Sequence, residues 1–330
     1  MLSEFDLIAR YFARPTPRAV LGPGDDCALL MPSPGMELAI TTDMLVAGTH
    51  FFAETDPAQL GWKTLAVSVS DLAAMGARPR WALLAGSLPV ADESWIAAFS
   101  EGFFACAGRY DVDLVGGDTT RGPLNLCATA LGEVPAGGAL RRDGAFAGDD
   151  IWVSGQPGLA ALGLAYLQGR AALPDALAAR CVGRLQQPTP RAELGAALRR
   201  RGLAHAAIDV SDGLLADLGH IAERSRLDAE IFAARLPEMP PDVDAGLARQ
   251  CQLAGGDDYE LVFAAAPEKR AALSALAAEL NLPLWRIGRF TAAAGRGDVR
   301  LSGERGEALA IGRKGFDHFG QDQNGQDQNQ

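Results

Sequence analysis

The 330-residue sequence lacks any apolar run that approaches the roughly 20 residues of a membrane-spanning helix. Its first residues, MLSEFDLIARYF, carry Glu4 and Asp6 where a secretory signal peptide would be basic. We therefore expect a cytoplasmic protein that makes no contact with a membrane.

Positive charge is also scarce, because 30 Lys and Arg residues stand against 41 Asp and Glu residues, for a net charge of −11. Surfaces that bind nucleic acid need clustered Lys and Arg to displace counterions from phosphates. The composition disfavours a nucleic-acid partner. A phosphate-bearing ligand would need metal ions to offset the acidic surroundings.

Paired cysteines and the common phosphate-binding loops are missing as well. The five cysteines form an odd count without a C-x-x-C pair, so we expect buried, reduced thiols rather than disulfides or a zinc site. The sequence contains no Walker-type loop, no G-x-G-x-x-G after a strand, no kinase catalytic loop and no G-x-S-x-G elbow.

What is present indicates an α/β (α+β) protein of two domains. The length and the 48% hydrophobic content suit two cores of ordinary size. A Gly- and Ala-rich break predicts a junction near residue 137, so that residues 1–137 and 138–320 form the domains. The polar, low-complexity stretch 321–330 is predicted to be disordered.

Hydrophobic patterns give a coarse secondary structure. The predicted elements are a strand over 38–46, helices over 60–76 and 94–109, a strand that stops at Gly116-Gly117-Asp118, and mainly helical Ala-rich segments over 158–204. SVSDLAAMG resembles DVSDGLLADLG, and GGDTT resembles GGDDY, at nearly equal spacing in the two halves. This weak repeat predicts that Asp71, Asp118, Asp212 and Asp257 sit in turns at element ends and converge on one cleft.

Carboxylates recur where apolar segments meet Gly, Ser or Thr. The members of this set are Asp25, Asp26, Asp43, Asp71, Asp118, Asp209, Asp212 and Asp257. Buried acids without a counter-charge are costly, and oxygen ligands without His or thiolate favour Mg²⁺, so the pattern predicts a magnesium cage. Ordinary turn or capping roles are the alternative: they are favoured for Asp217 and Asp228, and they stay open for the Asp25–Asp26 pair. Physical reasoning assigns no histidine a catalytic role, although His50 could hydrogen-bond a substrate.

The motifs GPGDDCALL, TTDMLVAGTHF, VSVSDLAAMGARP, VGGDTTRGPL, IDVSDGLLADLGHI, AGGDDYELVF and KGFDHFG occur in this order. With them the chain resembles the thiamine-monophosphate kinase family of the aminoimidazole-ribonucleotide-synthetase-like superfamily, from about residue 3 to residue 320. The resemblance implies an N-terminal mixed sheet that forms a homodimer, and a C-terminal α/β domain that completes the active site. It also implies transfer of the γ-phosphoryl group of ATP to thiamine monophosphate with several Mg²⁺ ions, which yields thiamine diphosphate in the last step of its biosynthesis.

The resemblance also implies roles for particular residues. The metal ligands would be Asp26, Thr41 or Thr42, Asp43, Asp71, Asp118, Asp209 and Asp212, with Asp25 a weaker candidate. Nucleotide contacts would come from Gly117, Asp118, Arg142 and Ser211, and thiamine contacts from His50, Asp257 and Phe316. Asp71, Asp118, Asp212 and Arg142 would be catalytic.

Two positions depart from the family pattern. Asp257 stands where the family usually has Glu, and Pro23 replaces an aliphatic residue. Two other functions remain open from the sequence: an ATP-using relative with a formyl, selenide or carbamoyl substrate, and a non-enzymatic, Mg²⁺-dependent nucleotide sensor.

Overall fold

The structure is a computed structural model that describes residues 4–293, 297–310, 312, 315 and 316. The predicted tail, 321–330, lies outside the described residues. The helices are α1 (Glu4–Leu7), α2 (Pro57–Ala74), α3 (Glu93–Tyr110), α4 (Leu159–Leu167), α5 (Asp175–Gln186), α6 (Ala192–Arg200), α7 (Leu214–Ser225), α8 (Ala245–Ala254) and α9 (Arg270–Glu279). The strands are β1 (Met36–Val46), β2 (Arg78–Leu88), β3 (Asp113–Arg121), β4 (Asn125–Pro135), β5 (Asp150–Ser154), β6 (Ala206–Val210), β7 (Leu227–Phe232), β8 (Glu260–Ala265), β9 (Leu284–Ala292), β10 (Val299–Ser302) and β11 (Ala308–Leu309).

The first sheet has the strand order β1-β4-β2-β3, in which only β2 and β3 run parallel. Helices α2 and α3 pack on one of its faces through a core that includes Leu65, Val69, Phe99 and Phe103. Local sequence fixes where both helices begin, because Asp56 and Asp92 accept hydrogen bonds from backbone N–H groups of the first turns.

The opposite face of this sheet is partly open. Ile40 and Met44 of β1 are 62% and 55% exposed, and Thr42 lies between them on the same face. Toward β2 and β3 the face is covered, since Ala28 and Leu30 of the N-terminal segment pack against a core that includes Trp81. The Gly-Pro-Gly-Asp-Asp stretch therefore lies over the sheet rather than in a helix or strand.

The second sheet has the order β11-β10-β7-β9-β5-β8-β6 and is covered on both faces. Leu214, Leu218 and Ile221 of α7 pack on one face, and α6 and α9 pack on the other. The C-terminal end of α2 joins the latter core through Ala73 and Ala74, so the two halves share buried surface.

The sequence prediction for β3 was wrong at its end, because the strand continues through Gly116-Gly117-Asp118 to Arg121. A Cβ on Gly117 would lie 1.8 Å from the carbonyl oxygen of Leu84 on the neighbouring strand. Glycine here permits close approach of two strands and does not end one. Asp118 is therefore a mid-strand residue.

Within the described residues, no helix is long and apolar enough to cross a bilayer.

Candidate active site

Helix α2 brings two of the predicted carboxylates together against β1. Residues 41 and 43 alternate with residue 42 along β1, so Thr41 and Asp43 face the helix. The hydroxyl of Ser68 donates to Asp43 Oδ2 over 2.7 Å, and the hydroxyl of Thr41 donates to Asp71 Oδ2. Ser68 and Asp71 are three residues apart and share a side of α2, which explains why one helix serves both contacts.

A second side of α2 reaches the C-terminal half. The hydroxyl of Ser70 donates over 2.7 Å to Asp209 Oδ2, at the end of β6, and both side chains are buried. A single turn of α2, residues 68–71, thus carries Asp71 and contacts Asp43 of the first half and Asp209 of the second half.

The three carboxylates form one electrostatic unit. Burial and then the charge of Asp71 raise the pKa of Asp43 from 3.8 to about 6. Burial, followed by the same Asp71 charge, raises the pKa of Asp209 well above its ordinary value. In the described part of the chain, none of the three forms an ion pair with Lys or Arg. The unit therefore has unbalanced negative charge.

Ser211 and Asp212 lie in the loop after β6, two and three residues beyond Asp209. Asp217 Oδ2 accepts hydrogen bonds of 3.0, 3.1 and 3.0 Å from the N–H groups of Ser211, Asp212 and Gly213. Burial and the charge of Asp212 raise the pKa of Asp217 to about 7. Asp217 thus has the local backbone role that the sequence favoured for it.

Asp257 joins the site from the loop before β8. Its N–H donates to Ser211 O over 2.8 Å, and both Asp257 (φ 65°) and Tyr259 (φ 51°) adopt left-handed backbone conformations. Such conformations in non-glycine residues cost energy and concentrate at functional sites. Burial and then the charges of Asp257, Asp43 and Asp209 raise the pKa of Tyr259, so the Tyr259 hydroxyl lies close to both Asp257 and the carboxylate unit.

Lys63 is a site residue that the sequence reasoning missed. Its Nζ lies 2.9 Å from Asp257 Oδ1, and the Tyr259 hydroxyl donates to the same oxygen over 3.1 Å. The available signal was a lysine inside the otherwise apolar start of a predicted helix, a position where an unpaired cation is costly.

Arg142 borders a pocket of about 420 Å³ together with Thr41 and Asp71. Among the described residues its guanidinium has no ion pair, whereas that of Arg141 is held by Asp143 through contacts of 2.8 and 2.7 Å. Arg142 is therefore the available cation of the two. Arg224 lines the same pocket and was not predicted from the sequence.

A second group of predicted residues lines a different pocket, of about 680 Å³. Asp25, Asp26, Gly117 and Asp118 border it, between the N-terminal segment and the first sheet. The three carboxylates are exposed. The expectation that all eight acids sit in buried surroundings was thus wrong for these three. Asp118 lies in β3, the edge strand of the first sheet, and Asp25 and Asp26 lie in the loop that covers the sheet, so all three side chains reach solvent.

Thr42 lies apart from Thr41. Its hydroxyl makes a 2.9 Å hydrogen bond with the Thr129 hydroxyl on the open face of the first sheet, as strand alternation requires. The choice between Thr41 and Thr42, which the resemblance left open, therefore favours Thr41 as a neighbour of Asp71.

His50 lies in a turn, and Phe316 lies outside any helix, strand or turn. His50 Nδ1 accepts a 3.1 Å hydrogen bond from the N–H of Val46, which closes the turn after β1. The N–H of Phe316 donates to Asp212 O over 3.0 Å, and its side chain is 46% exposed. A residue so exposed is not part of the core, yet it adjoins Asp212.

Two other expectations need correction. Asp71 lies inside α2 and Asp118 inside β3, whereas Asp212 and Asp257 lie in loops, so the predicted repeat of turns is not found. Cys27 is exposed and Cys127 half-buried, and only Cys106, Cys181 and Cys251 are the buried thiols that were expected.

Two models of known protein families match this chain, one in each half. The family model for the N-terminal domain of AIR synthase related proteins matches residues 24–134, and the model for the C-terminal domain matches residues 147–300. The two matches together cover more than half of the chain and show that it is an AIR synthase related protein.

Comparison with individual relatives shows which family of AIR synthase related proteins includes this chain. Thiamine-monophosphate kinase from Salmonella typhimurium is 47% identical over 324 residues, which cover 96% of this chain and 98% of the relative. The crystal structure of thiamine-monophosphate kinase from Stenotrophomonas maltophilia has a TM-score of 0.82 at 52% identity and covers 92% of this chain and 95% of its own. AaThiL complexed with AMPPCP and TMP has a TM-score of 0.74 at 29% identity, with coverages of 88% and 89%. The chain belongs to the thiamine-monophosphate kinase family, and the predicted resemblance and fold class are confirmed.

Proposed function

We propose that this enzyme phosphorylates thiamine monophosphate with ATP, in the cleft between its two halves. The observation that carries the proposal is the convergence of Thr41, Asp43 and Asp71 from one half with Asp209 from the other. Arg142 borders the same cleft and can pair with phosphate. The AaThiL complex with AMPPCP and TMP supports ATP and thiamine monophosphate as the two substrates.

Magnesium ions are the counter-charge that we propose for the carboxylate unit. The donors are oxygens only, and burial followed by the charge of Asp71 raises the pKa of both Asp43 and Asp209, so these residues fit Mg²⁺. Among the residues that the structure describes, no group of three or more His, Cys, Asp or Glu side chains is arranged to hold a metal ion. Mg²⁺ usually takes one or two carboxylates and completes its shell with phosphate oxygens and water.

The proposed ligands nearest the cleft are Asp43, Asp71 and Asp209, with Thr41 and Asp212 beside them. Asp26 would contribute only if ligand binding draws the N-terminal segment toward the cleft, and Asp118, which is fixed within β3, only if the bound substrates reach the second pocket. When bound, the ions would offset repulsion between the substrate phosphates and these carboxylates.

For the transfer, we propose direct in-line attack by a phosphate oxygen of thiamine monophosphate on the γ-phosphorus of ATP. The attacking phosphate is already ionised near pH 7, since its second pKa is about 6, and needs no general base. The absence of a required base agrees with the observed role of His50, whose ring closes the turn after β1. Arg142 would bind the transferred group and spread the charge that develops in the transition state.

An assay of ADP release separates this proposal from its rivals. We expect ADP release that requires both Mg²⁺ and thiamine monophosphate, and no stimulation by thiamine, which lacks the attacking phosphate. Release that is equally fast without thiamine monophosphate would indicate another acceptor, and nucleotide binding without release would indicate a sensor.

We also propose a homodimer in the cytoplasm, where ATP is available. The exposed Ile40 and Met44 on the open face of the first sheet suit burial against a second copy. A mass in solution of twice 34.6 kDa would support the dimer. The domain boundary near residue 137 stays a proposal; it falls between the end of β4 at Pro135 and the start of β5 at Asp150.

A further inference from the structure

Lys63 is a buried cation that the phosphoryl-transfer proposal does not use. The sequence has three lysines, and this one is 3% exposed in the first half of α2. Its Nζ lies 2.9 Å from Asp257 Oδ1, in the other half of the molecule. An ammonium group in such a position is costly without its partner, so the two charges depend on one another.

Asp257 is only partly enclosed by this pairing. Its side chain remains 31% exposed, and Lys63 and Tyr259 both contact Oδ1. Within the described ranges, no hydrogen bond reaches Oδ2. One oxygen of the carboxylate is therefore held, and the other is available to a ligand.

The residues that follow Asp257 are tied to the C-terminal half. Asp258 accepts hydrogen bonds of 2.6 and 3.3 Å from the N–H groups of Gly158 and Ala160 at the start of α4. The buried Glu260 pairs with Arg184 and Arg191. With its neighbours fixed, the orientation of the Asp257 carboxylate depends on the Lys63 contact from α2 and on the Tyr259 hydroxyl.

The same helix places the carboxylate unit. Lys63 precedes Ser70 by seven residues, or about two turns, so the two project from one side of α2 toward Asp257 and Asp209. Asp71 follows directly. Helix α2 therefore fixes the position of Asp257 relative to Asp71.

We infer that Lys63 is a positioning residue: it fixes Asp257 Oδ1 so that Oδ2 can accept a hydrogen bond from the donor-bearing, cationic ring system of the acceptor substrate. The inference rests on the proposed function, because it concerns the acceptor side of that cleft. Lys63 acts through Asp257 and does not contact the phosphates.

A double-mutant cycle tests this. Lys63→Met should raise KM for thiamine monophosphate about tenfold, as expected for loss of one charge-assisted hydrogen bond, with KM for ATP within about twofold. Asp257→Asn should do the same, and the double variant should be no worse than Asp257→Asn alone. Lys269→Met removes an equal charge outside the cleft and serves as the control.

Melting temperatures are recorded for every variant. If Lys63→Met does not fold, Lys63→Gln replaces it in the cycle. Gln keeps a donor toward Oδ1, so KM for thiamine monophosphate should rise as well, but by less. A folded Lys63 variant with lowered melting temperature and unchanged KM would make the pair purely structural and overturn the inference. An equal rise in KM in the Asp257→Asn background would overturn it too, because Lys63 would then act on the substrate directly. If the unaltered enzyme releases no ADP with thiamine monophosphate, the proposed function fails and the inference with it; a normal enzyme with an unaffected variant refutes the inference alone.

Discussion

Replacing Asp43 with Asn should make the metal-free protein more stable. Burial and the neighbouring charge of Asp71 raise the pKa of Asp43 from 3.8 to about 6. A difference of about two units corresponds to about 3 kcal/mol at 1.36 kcal/mol per unit. The amide oxygen of Asn can still accept the hydrogen bond from Ser68, so the substitution removes the charge and keeps the contact. We expect a gain of about 2 to 3 kcal/mol at pH 8.

The gain should depend on pH in a defined direction. Because the pKa is higher in the folded state, the folded protein binds more protons than the unfolded chain between about pH 4 and pH 6. The stability of the unaltered protein therefore falls as pH rises through this window, while Asn does not titrate. The advantage of Asp43→Asn should be small near pH 4, grow up to about pH 6 and stay constant above it.

Thermal unfolding in the presence of a chelator measures this effect. A gain of this size shifts the melting temperature by several degrees, at about 2 to 4 °C per kcal/mol. Asp118→Asn is the control, because the exposed position of Asp118 should limit its effect to about 0.5 kcal/mol. A variant that is no more stable than the unaltered protein at pH 8, or a difference that is the same at every pH, would refute the account of the carboxylate unit.

Three further predictions concern catalysis. Asp71→Asn should abolish turnover while the protein stays folded, as judged by ADP release and circular dichroism, and near-normal activity at saturating Mg²⁺ would contradict its place among the metal ligands. Arg142→Ala should slow transfer or raise KM for ATP by roughly ten- to a thousandfold; Arg141→Ala, which breaks only the pair with Asp143, should have the smaller effect, and the reverse order would disprove the assignment. Phe316→Ala should weaken binding of thiamine monophosphate, whose positive charge an aromatic face attracts by about 0.5 to 2 kcal/mol. Its melting temperature should be nearly unchanged, whereas a large drop with an unaltered KM would make Phe316 a packing residue.

The local sequence was sufficient to predict secondary-structure elements whose position depends on interactions between residues a few positions apart. The hydrophobic pattern of 38–46 predicted β1, and the structure has the strand at Met36–Val46. The helix predicted over 94–109 is found at Glu93–Tyr110, with Asp92 as its cap. The ordered motifs likewise identified the family, because each is a short run of residues.

Tertiary structure decided which carboxylates share a site. Asp43, Asp71 and Asp209 look like Asp118 in the sequence, yet burial and charge coupling unite the first three and leave Asp118 exposed. The pairing of Lys63 with Asp257 could not be predicted either, because the two residues are far apart in the chain.

The sequence by itself determined the two α/β halves, the acidic composition and the residue types available for the site. The end of β3 and the division of the predicted residues between two pockets followed only from strand contacts and from the way α2 meets both halves. The physical reason is range: hydrogen-bonded turns and hydrophobic periods are local properties, whereas desolvation and Coulomb energies depend on every group that the fold brings within a few ångströms.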